Sequence, residues 1–196
     1  MSFAKEKTIR PFSKLEILEM YDDHIPTEDE WNAKNNYCAP TYLAEFFTSN
    51  VLNWNSFKIL DLGCGTGKLG VALRICRDLH GVDFHTPSLD IAKDTNLYVT
   101  LSYEDCNHRL TFTENSFDAT ISSGAFTHSH FKPDVLKEMV RITKDNGYMA
   151  FTVSEKYYND EFDFILSALP IELIDTKKDN YVKDKLAYYF VYRVLK

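Results

Sequence analysis

The stretch from Asp61 to Gly67, with glycines at positions 63, 65 and 67, constrains this chain most strongly. The apolar run at residues 59–62 predicts a buried strand, and the apolar spacing over residues 69–76 predicts a helix. Glycines tolerate positive φ angles and carry no Cβ to block a close approach. A strand, a glycine turn and a helix therefore predict a loop that brings bare backbone and a helix N-terminus up to a ligand.

Spacing distinguishes three kinds of nucleotide-binding loop. A phosphate-binding P-loop needs a glycine and a Ser or Thr where this chain has Leu62 and Leu69. A dinucleotide-binding loop needs its third glycine at the position of Lys68. The pattern that fits is D-x-G-x-G-x-G, from Asp61 to Gly67, and the alternative is an ordinary glycine turn between a strand and a helix.

This D-x-G-x-G-x-G pattern resembles the first motif of the class I S-adenosylmethionine-dependent methyltransferases. The resemblance implies S-adenosyl-L-methionine as cofactor and S-adenosyl-L-homocysteine as product. It also implies that the loop contacts the cofactor through Asp61, Gly63, Cys64, Gly65, Thr66 and Gly67.

Asp83 ends the second predicted strand, residues 79–83, about twenty residues after the glycine loop. A carboxylate there can accept both ribose hydroxyls of the cofactor and repels a 2′-phosphate. Asp83 could instead cap the next helix, but Thr86 and Pro87 already fit the cap and the first helical position. We therefore predict that Asp83 binds the ribose, with the adjacent Phe84 at the same site.

The next two predicted strands, residues 98–103 and 116–126, end in further candidate residues. The resemblance implies that an acidic residue after the third strand binds the adenine amino group, beside an apolar residue that packs on the ring. Asp105 and Cys106 match those positions, and Glu104 remains an alternative for the acidic one. Ser123, near the end of the fourth strand, is predicted on the same edge of the sheet.

Strands and helices alternate along the chain, which predicts an α/β fold. We expect a three-layer Rossmann-like sandwich with a mostly parallel seven-stranded sheet and an antiparallel C-terminal hairpin. Residues 144–147 are predicted as a turn before the fifth strand. The hairpin is predicted from residues 171–175 and 186–195, with Asp179 and Asn180 in its polar connection.

Two helices are predicted ahead of the glycine loop, one opened by the capping box at residues 13–16 and one by Pro40. By resemblance, residues 1–56 are expected to form a lid over the cofactor, and residues 57–196 the S-adenosylmethionine-binding domain, in one compact unit. Tyr21 is a candidate lid residue that contacts the cofactor. The alternative for Tyr21 is the end of a plain surface helix.

Charge and cysteine pattern narrow the class of protein. A formal net charge of −7 argues against nucleic acid as a partner, because that affinity depends on clustered Lys and Arg. No apolar run approaches 18 residues, so no membrane partner is expected. The four cysteines lack zinc-site spacing, so no metal is expected and a reducing cytoplasmic location is the default. We expect a monomer or a weak dimer.

Shorter pieces resemble one subgroup, the methyltransferase-like family of the Williams–Beuren syndrome chromosome region. They are residues 21–23, 61–67, 81–83, 97–98, 117–118, 124–125 and 146–147. Two features depart from the family pattern. Residues 144–147 replace the usual proline and two glycines, and no insertion before the final strand supplies a substrate cap. The second departure bears on the substrate prediction more than on cofactor binding.

Methyl transfer from a sulfonium needs an aligned nucleophile and exclusion of water more than it needs a catalytic triad. No Asn/Asp-Pro-Pro motif follows the fourth strand, which disfavours adenine, cytosine and glutamine acceptors. His128, His130 and Tyr21 are the candidate catalytic residues, although solvated loop histidines are the alternative. A small-molecule methyl acceptor is predicted. The alternatives are a non-catalytic protein that binds S-adenosylmethionine or S-adenosylhomocysteine, and a protein methyltransferase.

Overall fold

The computed structural model describes residues 15–16, 18–19, 34–127 and 130–196. Its helices are α1 (Ala39–Asn50), α2 (Lys68–Ala72), α3 (Thr86–Asp94), α4 (Val135–Ile142) and α5 (Asp160–Ser167). Its strands are β1 (Lys58–Leu62), β2 (Asp78–Asp83), β3 (Thr100–Tyr103), β4 (Phe117–Phe126), β5 (Thr143–Ser154), β6 (Ile171–Val182) and β7 (Lys185–Val194). Of the helix predicted from residue 13, the four described residues are helical.

The seven strands form one sheet in the order β3-β2-β1-β4-β5-β7-β6. β1 pairs in parallel with both β2 and β4. β3 pairs in parallel with β2, and β5 pairs in parallel with β4. β7 lies antiparallel between β5 and β6. The predicted α/β fold with a mostly parallel sheet and an antiparallel C-terminal hairpin is therefore confirmed.

The central strands are buried on both faces, which accounts for their nearly continuous apolar sequence. On one face Ile59 of β1 packs in a cluster with Leu43 and Phe47 of α1. On the other face Leu60 packs in a cluster with Leu136 of α4 and other residues. Helices thus cover both sides of the sheet and hold the carboxyl ends of β1, β2 and β4 in fixed positions.

α1 begins as predicted at Ala39 and Pro40, and its first, fifth and ninth residues are fully buried against the sheet. This i, i+4, i+8 spacing gives one apolar stripe. Within the region expected as a lid, residues 39–50 therefore belong to the core. The candidate lid residue Tyr21 lies outside the described residues.

The local structure around β3 and α3 differs from the sequence prediction in two places. β3 begins at Thr100, because Tyr98 turns its hydroxyl toward Asp61 and leaves the strand. α3 has His85 as its N-cap residue and Thr86 as its first helical residue, so the prediction of Thr86 as the cap was wrong. The backbone N–H of His85 is bound instead by Asp83, at 2.9 Å from Oδ1.

The C-terminal turns also differ from prediction. The predicted turn at 144–147 lies inside β5 as an irregularity, with Asn146 at a φ of 59°. Lys144 Nζ stabilises it by contact with Asp118 Oδ1 at 2.7 Å. In the hairpin, residues 179 and 180 pair within β6, and the chain turns at residues 183–184. Lys183 takes the positive φ, 48°, that this tight turn needs.

One pair of phenylalanines on α5 tests the packing of this fold. Phe162 is fully buried and packs against Phe126, with ring centroids 5.5 Å apart, whereas Phe164 is 73% exposed. We expect Phe162→Ala to lower the free energy of unfolding by about 3–5 kcal/mol, because it leaves a cavity in the core. Phe164→Ala, the control on the same helix, should change it by less than about 0.5 kcal/mol. Equal losses in urea unfolding would contradict the assigned helix face.

Candidate functional site

A crevice opens at the carboxyl ends of β1, β2 and β4, beside the point where the strand order reverses. This is where open α/β sheets place their ligands. The space in the crevice, counted out to its open mouth and including solvent there, is about 760 Å³. Residues from the glycine loop, from the ends of β2 and β4 and from the start of α1 line it.

The glycine loop is tied to the end of β2. The N–H groups of Gly63 and Cys64 both donate to Val82 O, at 2.8 and 3.1 Å. Gly65 has a φ of 51°, and a Cβ built there would meet no atom within 4 Å. The left-handed conformation thus favours glycine at position 65, and its bare backbone faces open space in the crevice.

Asp83 joins the loop to the start of α3. Its Oδ2 accepts the N–H of Gly65, and its Oδ1 accepts the N–H of His85, both at 2.9 Å. Burial raises the pKa of this carboxyl, and the two N–H donors oppose that rise. Each carboxylate oxygen has a second lone pair, so Asp83 keeps the capacity to accept a ligand hydroxyl.

Asp61 is the second buried carboxylate of the crevice and is 1% exposed. Its Oδ2 accepts a hydrogen bond from the Tyr98 hydroxyl at 2.8 Å. Burial raises the pKa of Asp61 to about 7, opposed by the Tyr98 hydroxyl and aided by the charge of Asp83. Asp61 therefore changes charge near neutral pH, unlike an ordinary surface aspartate.

The residues after β3 separate into different surroundings. Glu104 accepts two hydrogen bonds from Thr111, from its N–H at 2.8 Å and its hydroxyl at 2.7 Å. Asp105 accepts the N–H of Asn107 at 3.1 Å. Cys106 is buried and lines the crevice, and its burial raises the thiol pKa well above the ordinary value.

Ser123 and Gly124 form the β4 side of the crevice. Ser123 Oγ is buried and has no hydrogen-bond partner among the described residues. Gly124 has a φ of 77°, and the hydroxyl of Tyr37 occupies the space that a Cβ would fill. Tyr181 donates its hydroxyl to Gly124 O at 3.3 Å. Two tyrosines from distant parts of the chain therefore fix this wall.

His130 lines the crevice and is partly buried, so it differs from the solvated loop histidine that the sequence left open. Its Nδ1 lies 2.8 Å from Thr127 Oγ1, and its carbonyl accepts from Asn107 Nδ2 at 2.8 Å. Burial lowers the pKa of His130 to about 4, so the imidazole is neutral at pH 7. His128 lies outside the described residues.

The crevice brings together most of the residues that the sequence predicted. It is lined by Asp61, Gly63, Cys64, Gly65, Thr66, Asp83, Phe84, Cys106, Ser123 and His130. Gly67 and Asp105 are absent from the lining. Gly67 has a φ of 86° and packs beneath the loop against Ala92 and Tyr98. Sequence reasoning also missed several lining residues, namely Tyr37, Pro40, Lys68, Leu69, Ser88, Ala125 and Phe131.

Most of the missed residues carry no signal in the sequence, because they reach the crevice through long-range packing. Lys68 and Leu69 are exceptions, since they directly follow the glycine loop. Tyr98 could not be recognised as a partner of Asp61, because 37 residues separate the two and the strand pattern explained its position equally well.

The lining fits an adenosyl amino acid by its chemistry. A bare backbone, two buried carboxylates and an unpartnered buried hydroxyl offer acceptors for a cationic amino group and for ribose hydroxyls. In the described ranges, no group of three or more His, Cys, Asp or Glu could hold a metal ion. None of the helices in those ranges is long and apolar enough to cross a membrane.

Comparison with known proteins matches part of the chain to a known family and to curated relatives. Residues 60–151 match the family described as methyltransferase domain. The chain is 31% identical over 131 residues to the biotin biosynthesis bifunctional protein BioHC of Saccharophagus degradans. The aligned region covers 62% of this chain and 23% of that protein. The chain spans less than two fifths of the length of the curated relatives it matches.

Solved structures share the fold at low identity. The cyclase SpnF superimposes with a TM-score of 0.75 and 16% identity over 95% of this chain and 98% of that one. The second structure is an S-adenosylmethionine-dependent methyltransferase from Thermotoga maritima, described as a possible histamine N-methyltransferase. It gives a TM-score of 0.67 and 13% identity over 92% of this chain and 100% of that one. These structures show a shared fold, which the chain has in common with an S-adenosylmethionine-dependent methyltransferase. The match of residues 60–151 to the methyltransferase domain implies S-adenosylmethionine as cofactor. The finer resemblance to the Williams–Beuren subgroup stays a prediction.

The raised pKa of Asp61 makes a prediction about stability. An unfolded chain loses this proton near pH 4 and the folded chain near pH 7, so ionisation of Asp61 lowers stability as pH rises between those values. Asp61→Asn removes this titration. We expect the melting temperature of Asp61→Asn minus that of the unsubstituted protein to increase as the pH rises from 5 to 8. Asp90→Asn, an exposed change on α3, is the control. A pH-independent difference for Asp61→Asn would contradict the assignment.

Proposed function

We propose that this chain is an S-adenosylmethionine-dependent methyltransferase that acts on a small molecule. The observation that carries the proposal is the pair of buried carboxylates, Asp61 and Asp83, at either side of the glycine loop in one crevice. The match of residues 60–151 to the methyltransferase domain supports the same conclusion. The bound cofactor would supply an activated methyl group on a sulfonium, and the protein would supply position and exclusion of water.

We assign different residues of the crevice to different parts of the proposed cofactor. Asp61 and the backbone at Gly63 and Gly65 are proposed to hold the amino acid end, where an anionic carboxylate attracts the amino group. Asp83, with Phe84, is proposed to hold the ribose. Both Asp83 oxygens accept backbone N–H groups, which hold the carboxylate in the crevice wall, and each keeps a lone pair for a ligand hydroxyl.

For the adenine end we propose Asp105 and Cys106 rather than Glu104. The carboxylate of Glu104 is already bound twice by Thr111, which holds it at the exposed side of the loop. Cys106 is buried in the crevice wall and offers an apolar surface to a ring. Asp105 adjoins it in sequence, and small movements of this loop on binding would bring its carboxylate to the ring edge.

The β4 wall is proposed to bind the acceptor. Tyr37 and Phe131 narrow the crevice there, and Ser123 Oγ offers a buried polar group without a partner among the described residues. Aromatic faces near a sulfonium also favour it through cation–π attraction. The room between these side chains suits a small acceptor better than a folded protein surface.

His130 is proposed to orient the acceptor and not to act as a strong base. A histidine whose pKa is about 4 is almost always deprotonated at neutral pH, but it holds a proton only weakly. A nucleophile that already has a lone pair, such as a neutral amine, loses its proton after methyl transfer and needs no strong base. The Thermotoga relative described as a possible histamine N-methyltransferase offers a parallel with such an acceptor.

A role other than methyl transfer is the second candidate, because SpnF, which is described as a cyclase, shares this fold. In that case the chain would bind S-adenosylmethionine or S-adenosylhomocysteine without methyl transfer. A protein methyltransferase is the remaining alternative, and the acidic sequence at residues 22–30 is the feature that favours it.

Thermal unfolding tests the cofactor directly. S-adenosylmethionine and S-adenosylhomocysteine at 1,000 times Kd should stabilise the protein by about 4 kcal/mol, because they bind the folded chain. NAD and ATP at equal concentration should leave the melting temperature unchanged, since the loop lacks their phosphate-binding patterns.

Matched acidic variants sharpen this test. Asp83→Ala should abolish the shift because it removes the ribose acceptor, and Glu104→Gln should retain it because Thr111 holds that carboxylate away. A shift with NAD alone, or an unchanged response in Asp83→Ala, would overturn the proposed cofactor site.

Transfer of a labelled methyl group tests the acceptor. With methyl-labelled S-adenosylmethionine and cell extract, we expect label in the small-molecule fraction, because the aromatic wall admits a small acceptor. Asp83→Ala should lower incorporation in parallel with its loss of cofactor binding. Label in the macromolecular fraction would indicate a protein methyltransferase, and label in neither fraction, with binding intact, would indicate the non-catalytic binder.

A further inference from the structure

We propose that Tyr98 is a positioning residue for the cofactor, which holds the Asp61 carboxylate and the start of α2 in one fixed arrangement. This inference rests on the proposed function, because Asp61 is the group through which Tyr98 would act. Tyr98 lies between α3 and β3 and is absent from the crevice lining, so it would not touch the cofactor itself.

The hydroxyl of Tyr98 connects two elements. It donates to Asp61 Oδ2 at the end of β1, at 2.8 Å, and accepts the N–H of Gly70 in α2, at 3.2 Å. Gly70 lies in the first turn of that helix, where backbone N–H groups have no partner within the helix. One hydroxyl therefore satisfies a buried carboxylate and a helix N–H on either side of the glycine loop.

Three glycines form the slot that the Tyr98 ring occupies. A Cβ at Gly67 would lie 3.2 Å from Tyr98 Cε2, one at Gly70 2.6 Å from its hydroxyl, and one at Gly81 3.0 Å from Cδ1. Side chains at positions 70 and 81 would displace the ring. Gly67, which the sequence pattern attributes to a ligand, thus makes room for a tyrosine side chain, as Gly70 does.

The position of Tyr98 has a consequence for the charge of Asp61. Among the described residues, Asp83 at the end of β2 is the group whose charge acts on Asp61. The neighbouring Cys64 thiol and Tyr98 hydroxyl stay protonated, because burial and the charge of Asp61 raise their pKa values. Asp83 disfavours the carboxylate by repulsion, whereas the Tyr98 hydroxyl favours it by donating a hydrogen bond. Loss of the hydroxyl should leave Asp61 protonated over a wider pH range and weaken its attraction for a cationic ligand.

Calorimetric titration with S-adenosylhomocysteine from pH 5.5 to pH 9 tests this role in Tyr98→Phe, which keeps the ring and removes the hydroxyl. We expect binding about tenfold weaker at pH 7, corresponding to the loss of one hydrogen bond to a charged group. The midpoint pH at which affinity increases should be about one unit higher in Tyr98→Phe than in the unsubstituted protein. A merely structural loss would weaken binding equally at every pH.

Tyr103→Phe is the matched control, because Tyr103 lies at the end of β3 and is 58% exposed. It should bind as the unsubstituted protein does. Gly70→Ala is the second variant, because its Cβ takes the space of the Tyr98 hydroxyl and alanine favours a helix. It should reproduce the upward shift in pH dependence even if Tyr98→Phe does not fold.

Carbon-13 NMR of the Asp61 carboxyl in the ligand-free protein gives a readout independent of binding. Its titration should move to higher pH in Tyr98→Phe and in Gly70→Ala, and stay in place in Tyr103→Phe. If the unsubstituted protein binds and both variants keep its affinity and pH profile, the role of Tyr98 is wrong and the proposed function stands. If the unsubstituted protein binds no S-adenosylhomocysteine at any pH, the proposed function fails, and the ligand role of Tyr98 fails with it.

Discussion

The burial of two carboxylates at the ends of neighbouring strands is the constraint on which the site depends. Asp61 and Asp83 are almost fully removed from water, which is unfavourable for charged groups unless they find hydrogen-bond donors. Their donors are the Tyr98 hydroxyl and the N–H groups of Gly65 and His85. The loop, the start of α3 and the segment before β3 are therefore held together by the groups that a ligand would use.

The buried carboxylate of Asp61 lowers the stability of the fold but is useful for binding a ligand. A neutral side chain at position 61 would avoid the desolvation that raises the Asp61 pKa to about 7. An acidic residue there is useful only if a cationic partner enters the crevice and favours its ionised form. The proposed cofactor has such an amino group, so its binding would favour the ionised form of Asp61. Buried, perturbed carboxylates of this kind are typical of functional sites.

The parts of the fold that the sequence predicted depend on local patterns. The buried strand β1, the glycines at positions 63 and 65 and the carboxylate at the end of β2 follow from residues close together in the chain. Of these, the two glycines and Asp83 line the crevice. The boundaries that were wrong depend on tertiary contacts. Asn180 pairs with Leu186 inside the hairpin and ceases to be a turn residue, and Tyr98 leaves its strand because Asp61 offers a buried acceptor.

The same contrast explains why the acceptor is harder to read from the sequence than the cofactor. The proposed cofactor side is built from β1, β2 and the turns that directly follow them, so its residues keep a recognisable spacing. The opposite wall joins Tyr37, Gly124 and Tyr181, which come from three distant segments and meet through side-chain packing. Gly124 is the link between them, because a side chain there would displace the Tyr37 hydroxyl from the crevice. Acceptor specificity would then depend on which aromatic side chain packs against the backbone at Gly124. The spacing of residues along the chain does not predict that contact.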